Sequence, residues 1–406
     1  MRHRLARKIL LTLLVVVVFR LGQNLPLPGV DVRAVREYDL FPGPVRLLTG
    51  HALPRLAVLG LGPYPWFAAA GVMYALTAVV PRFAALSEAG PEGVAVLRRA
   101  TRGLAVVTSA GLAVVVTFGL TRLPQVLRSS GALSLAVLVV TLTAGGLVTM
   151  WLAELVTERG IGDGYGVLLA TQLLAVLPGE FRAVLASRGT AVLVALLLVV
   201  VAMVAGIAFM EGGRRAIPVQ YAKRMIGRRS HGGTSTVVEL PVGPDRSVTA
   251  PAATLLFLVA LVAGAWPDTG WLRALRTHVS APADPWRLSV LAALVVLFAL
   301  FHAATRLDAE AVADRLRREG AFVPGIRPGR PTAEYLSYVN LRLTTVGALY
   351  LVAVTLAVTG VSVLLGAEHK LPYGGEALFL VVGLAADTLT TVNTERLLPR
   401  YEAYLR

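Results

Sequence analysis

Cysteine is absent from the 406 residues, which excludes disulfides and thiolate metal sites. Six histidines occur, too scattered to form a ligand set, so neither a metal nor a cofactor is expected. There is no Gly-rich phosphate loop ending in Lys-Ser/Thr, no His-Glu-x-x-His and no nucleophile elbow. No catalytic residue can be nominated, and the chain is not expected to be an enzyme. No low-complexity linker divides it, so residues 1–406 read as a single domain.

What the chain has in abundance is apolar sequence. Mean hydropathy is +0.69 and 56% of residues are hydrophobic, far above the norm for a soluble domain. About 20 apolar residues span a bilayer as a helix. The candidates are Ile9–Gly22, Phe67–Val80, Leu104–Leu120, Leu133–Leu155, Ala191–Met210, Ala252–Trp266, Leu288–Ala303, Leu343–Leu365 and Leu378–Thr391. A tenth, Tyr165–Leu177, is short and interrupted by Gln172. Ile9–Phe19 leads to Arg20 and Pro26, not to a small-residue cleavage site, and reads as the first span. The fold class is therefore an all-α polytopic membrane protein with nine or ten spans. Spans one to five and six to ten have similar lengths, which allows a five-plus-five inverted repeat, although no internal identity marks one.

The net charge of +15 follows the positive-inside rule rather than signalling nucleic acid. With ten spans and a cytoplasmic N-terminus, 26 of the 39 Lys and Arg residues fall in cytoplasmic segments. The opposite orientation inverts that ratio, so both termini are expected in the cytoplasm. Two cytoplasmic loops are long, 211–248 and 304–342. On the outer side, 25–66 is half apolar but broken by Pro42, Pro44 and Pro54. It either lies at the interface or folds back into the bundle.

Deep charge is scarce: Asp387, Glu154 and Arg20 all lie toward the ends of their spans. This disfavours an ion-coupled transporter. Gly160-Ile161-Gly162-Asp163 matches a run found in intramembrane aspartyl proteases, but no second aspartate faces it, and Tyr38-Asp39 is in the outer segment. The run reads instead as a Gly-rich turn opening a helix, with Asp163 near the positive N-terminus. In 320–351, Pro324, Pro328 and Pro331, with Gly325 and Gly329, break regular helix and fix a turn that holds Arg327 toward a partner. In 214–233, six basic residues flank Pro218, Gln220 and Tyr221, a surface suited to anionic lipid or to an anionic protein or RNA.

GAFVPGIRPGRPTAEYL followed by LRLTTVGALYL resembles a cytoplasmic loop of the SecY family, the channel subunits of bacterial protein translocases. RRAIPVQYAKRMIGRR resembles the preceding loop. FRLGQNLPLPGVD (19–31), TERGIGDGYG (157–166) and RYEAYL (400–405) follow the same family in the same order. The resemblance implies ten helices in two pseudo-symmetric halves, about 1–180 and 181–406. It implies a plug at about 41–55 and a lateral gate between spans two and seven, with three and eight behind them. Unfolded preproteins would cross the pore and transmembrane segments would leave sideways into the bacterial plasma membrane. The implied partners are SecE and SecG in a heterotrimer, the SecA motor or a translating ribosome, preproteins and lipid. Arg327 falls on the family's loop arginine, and Arg215, Lys223 and Arg224 on basic positions of the other loop.

The pore ring departs from the family, whose constriction is mostly isoleucine. Matching the flanking motifs puts Gly71, Leu169, Leu173, Ala253 and Leu380 at the ring. Gly71 and Ala253 lack bulk, and Phe67, one turn before Gly71, is the candidate to fill the gap. In span seven a Gly-Val-Ile-Pro pattern reads Val248-Thr249-Ala250-Pro251, and Asp245 replaces a usual asparagine. These departures suggest a divergent or accessory member with restricted clients, or a scaffold.

Overall fold

The computed structural model describes residues 2–31, 34, 49–123, 126–129, 131–221, 224–226, 229–231, 235–241, 258–259, 262, 270, 278, 284–364, 385, 388 and 391–392. Most of spans seven and ten, most of segment 41–55, the 248–251 pattern, Asp245, Asp387 and the 400–405 tail lie outside the described residues, as do Lys223, Ala253 and Leu380.

Helix α1 (Arg2–Gly22) leads to irregular chain, and α2 (Tyr64–Val79) follows. Pro65 starts α2, where its missing N–H costs nothing, and Val80 before Pro81 is forced into an extended conformation that ends it. Helices α3 (Pro81–Glu88), α4 (Gly90–Thr121) and α5 (Ala132–Arg159) come next. Then come α6 (Gly164–Leu174), α7 (Leu177–Arg188) and α8 (Thr190–Gly212). After a stretch of strands, α9 (Pro285–Arg306), α10 (Ala309–Arg318) and α11 (Arg330–Leu364) complete the described helices.

Among the described residues, five helical stretches are long and apolar enough to cross a membrane: Gly90–Thr121, Ala132–Arg159, Gly164–Arg188, Thr190–Met210 and Arg330–Val354. Pro285–Phe301 is a shorter apolar helix. The doubtful fifth span is thus extended by α7. Asp163 caps α6, its carboxylate accepting from the Gly166 N–H at 3.1 Å, and the Gly160–Asp163 run is a helix-opening turn. The turn is tied to α1, where Thr12 Oγ1 accepts from the Ile161 N–H at 3.1 Å.

The sequence of segment 25–66 allows either the interface or the bundle, and residues 49–63 fold into the bundle as irregular turns. Leu53, Leu56, Leu59 and Leu61 are buried. The segment's backbone is paired: the Leu27 N–H donates to Leu56 O and the Val58 N–H to Leu25 O, each at 2.8 Å. Its seat is made of glycine. A Cβ added to Gly145, midway along α5, would lie 1.9 Å from Val58 O, and one on Gly22 would lie 2.4 Å from Leu59 Cδ1.

Two glycines therefore predict opposite outcomes. Gly145→Ala forces the 58–59 backbone away and is expected to lower the thermal unfolding midpoint of the purified protein. Gly111→Ala, in α4 with nothing within 4 Å of the added Cβ, is expected to raise it, by about 0.5–1 kcal/mol of stability. Differential scanning fluorimetry in detergent checks both.

Candidate functional site

Two regions gather the residues singled out by sequence. In the first, Leu169 and Leu173, one turn apart on α6, bury their side chains in a single apolar cluster with Leu53 and Leu56 of the irregular segment. Phe67 of α2, Leu258 and Val259 pack against the same cluster. Gly71 is half-buried one turn beyond Phe67. The Phe67 ring meets Tyr165 edge-on at 6.5 Å, while Trp66 stacks on Tyr165 at 4.2 Å. These side chains pack as one apolar cluster, hereafter the collar.

Sequence reasoning missed the polar part of this region. Gln172 lies between the two collar leucines on α6 and is wholly buried, and Gln23, just past α1, is 2% exposed. Gln23 Nε2 donates to Gln172 Oε1 at 3.1 Å, and Arg20 Nη1 donates to Gln23 Oε1 at 2.5 Å. Gly50 and Gly62, both at positive φ, close on the same residue: added Cβ atoms would lie 2.8 Å from Gln172 O and 2.7 Å from Gln172 Oε1. The only hint in the sequence was that Gln172 interrupts an apolar run.

Away from this cluster, Tyr74 of α2 and Phe301 of α9 meet edge to face at 5.3 Å.

The second region is built from both long loops, and it contains strands that the charge-rich sequence did not announce. Strands β1 (Arg214–Tyr221) and β4 (Ser235–Pro241) form an antiparallel hairpin, with β2 (Arg224–Ile226) and β3 (Arg229–His231) paired beyond it. Strand β5 (Ala321–Phe322), from the other loop, pairs with β1 at Gln220 and Tyr221. Alternation in β1 buries Ile217 and Val219 and exposes Ala216, Pro218 and Gln220. Because β5 reaches only the end of β1, Pro218 sits where, among the described residues, one side of the strand is unpaired.

Ile217, Val219, Leu240, Leu316, Ala321, Val323 and Leu336 form one core under this sheet. The two loops are thus a single folded body. Helix α10 contributes Leu316, is capped by Asp308, which accepts from the Ala311 N–H at 2.8 Å, and ends in Arg315, Arg317 and Arg318, favourable at a helix C-terminus. Tyr221 donates to Glu319 Oε2 at 3.3 Å, joining the loops again. Arg315, bonded to Glu319 at 2.9 Å, holds that carboxyl below the usual carboxylate range.

Arg327 is exposed on the turn between β5 and α11, and among the described residues its guanidinium has no ion-pair partner. Its backbone is held: Thr332 Oγ1 donates to Arg327 O at 2.9 Å, and Gly325 and Gly329 take positive φ on either side. The helix that follows begins at Arg330, well before the apolar run. Pro331 lies in its first turn, where proline is tolerated, and so starts the helix instead of breaking it. Arg215 is exposed on β1, and Arg224 opens β2. The structure brings Arg215 and Arg327 onto one body.

A family model described as SecY matches residues 57–389. The chain is 37% identical to the protein translocase subunit SecY of Streptomyces scabiei, over 99% of this chain and 97% of that protein. It is 34% identical to the protein translocase subunit SecY of Mycobacterium leprae with the same coverages. Among solved structures, a protein-conducting channel aligns with a TM-score of 0.67 at 17% identity, covering 96% of this chain and 93% of that one. Sec61 from the canine ribosome-channel complex aligns at 0.63 and 15% identity, covering 96% and 93%.

The shared core has a measurable consequence. Leu336, fully buried at the start of α11, is expected to cost about 2–5 kcal/mol as Leu336→Ala. Limited trypsinolysis of the purified protein should then cut the 214–241 hairpin faster than in the parent, because the two loops lose their common support.

Proposed function

The chain belongs to the SecY family, and we propose that it is the protein-conducting channel subunit of a bacterial translocase. It passes unfolded preproteins across the plasma membrane and releases transmembrane segments sideways into lipid. The observation that carries this reading is the apolar cluster in which Leu169 and Leu173 pack with Leu53 and Leu56, with Phe67 beside them. Apolar side chains around a narrow passage exclude water and ions at rest, yet have no directional bonds that would hold a moving chain.

In this reading Gly71, Leu169, Leu173, Ala253 and Leu380 ring the constriction, and 41–55 is its plug. The edge-on Tyr74–Phe301 pair supports a seam between α2 and the second half as the lateral exit. One aromatic contact of this kind is worth about 0.5–1.5 kcal/mol, small enough to be broken by an entering apolar segment. SecE and SecG complete the heterotrimer and both termini face the cytoplasm.

The loop body is the dock for SecA or the ribosome. Arg327 is its main contact, and Arg215, Lys223 and Arg224 add positive charge. A guanidinium offers a planar, permanently charged fork for carboxylates or phosphates, and among the described residues no acid pairs with it. The glycine at position 71 favours a second form of the same reading, an accessory channel with restricted clients.

Arg327→Glu is expected to abolish SecA-driven transport of a preprotein into proteoliposomes while leaving co-purification with SecE intact. Arg327→Lys should recover only part of it. Normal transport by the glutamate variant would remove Arg327 from this role.

A further inference from the structure

The Gly160–Asp163 turn is held more tightly than the opening of a helix requires. On one side it is fixed to three elements of the first half. Thr12 Oγ1 of α1 accepts from the Ile161 N–H, Thr157 Oγ1 of α5 accepts from the Gly164 N–H at 2.9 Å, and Asp163 caps α6. Ile161 is buried at its centre. A Cβ added to Gly160 would lie 2.6 Å from Thr12 Oγ1, and one on Gly164 would run into Ala153 O. The turn therefore moves only together with α1 and α5.

Its other side faces the second half. Gly162 has a φ of +79°, and a Cβ there would lie 3.1 Å from Thr388 Oγ1 and 3.9 Å from Thr388 Cβ, in the predicted tenth span. Small residues let membrane elements approach this closely. Helix α6 starts from the turn, α7 continues it, and the chain passes on to α8 at Gly189, also at positive φ, with nothing within 4 Å of an added Cβ. The fifth span thus meets the second half at both ends, by contact at Gly162 and through the chain at Gly189. A rotation of the halves that keeps both meetings has its axis along that span.

We propose that Gly162 is a positioning residue: it seats the turn against Thr388, and this seat stays closed while the channel opens elsewhere. This rests on the reading of the chain as a channel of two halves. Contacts on a rotation axis do not separate. The Tyr74–Phe301 pair, a single aromatic contact, is left free to part. Leu169 and Leu173, carried by α6, stay near the axis, and the partners packed on them do the moving.

The absence of cysteine from the chain gives a clean test. Gly162→Cys with Thr388→Cys puts two thiols on Cβ atoms 3.9 Å apart, within the range that a disulfide spans. The complex, purified with partner subunits that lack cysteine, is oxidised at rest and freed of oxidant. Its transport of a preprotein into proteoliposomes is compared with that of the same sample reduced. The disulfide is expected to close nearly completely, read as tryptic pieces that stay joined until reductant is added. The oxidised complex is expected to transport as well as the reduced one. A disulfide that does not form removes the seat. Transport lost on oxidation and regained on reduction shows that the contact parts, and overturns the proposal.

A side chain at position 162 strains the backbone whatever the space, so the seat is also probed from its other side. Thr388→Val keeps the volume and removes the hydroxyl with any bond it makes, whereas Thr388→Leu adds bulk toward Gly162. T388L is expected to lose most transport and T388V little. Equal losses assign the effect to the hydroxyl and overturn the role of Gly162, and so does a T388L complex as active as the parent. If the parent itself moves no preprotein, the channel reading falls and the seat with it. That result is distinct from a channel that works until it is oxidised.

Discussion

Backbone without helical hydrogen bonds survives inside a membrane protein only when protein surrounds it and pairs its polar groups. Residues 49–63 are such a stretch, and much of the first half is arranged to meet that demand. The Leu25 and Leu56 carbonyls take N–H groups from Val58 and Leu27. Gly22 and Gly145 give up their side chains so that the stretch can approach α1 and α5. With the backbone settled, Leu53 and Leu56 are delivered to Leu169 and Leu173. The collar is therefore a product of glycine placement on neighbouring helices as much as of the leucines themselves.

A second constraint acts at the cytoplasmic loops. Strongly basic segments bury little apolar surface and tend to stay unstructured. Here Ile217 and Val219 from one loop meet Leu316, Ala321 and Val323 from the other. Pooling the two sets makes a core, and the core sets the Arg327 turn in a fixed place relative to β1. The charge stays outside, as it must.

Much of this was legible beforehand, for identifiable reasons. Apolar runs mark α4, α5, α8, α9 and α11, because length and hydropathy are local properties. The role of Asp163 as a cap is likewise local, set by its spacing from Gly166. The family resemblance rested on loop motifs and is matched by relatives over nearly the whole chain. The rest depended on which residues meet across the fold. Neither the β1–β5 pairing nor the shared loop core could be seen from either loop alone. Gln172 read as a blemish in a weak span until Gln23, 149 positions away, was found beside it. The early start of α11 was hidden by Pro331, which breaks a helix in its interior but begins one here.

The unbroken course of α11 carries one more consequence. Its 35 residues make a rod of about 52 Å, against a hydrocarbon core of roughly 30 Å. The surplus projects into the loop body, where Leu336 is anchored, while Leu351 and Val354 are packed against Ile207, Leu291 and Val295 of α8 and α9. One continuous helix, with no proline and the single glycine Gly347 between these two anchorages, therefore joins the Arg327 turn to the membrane helices as the two ends of one lever.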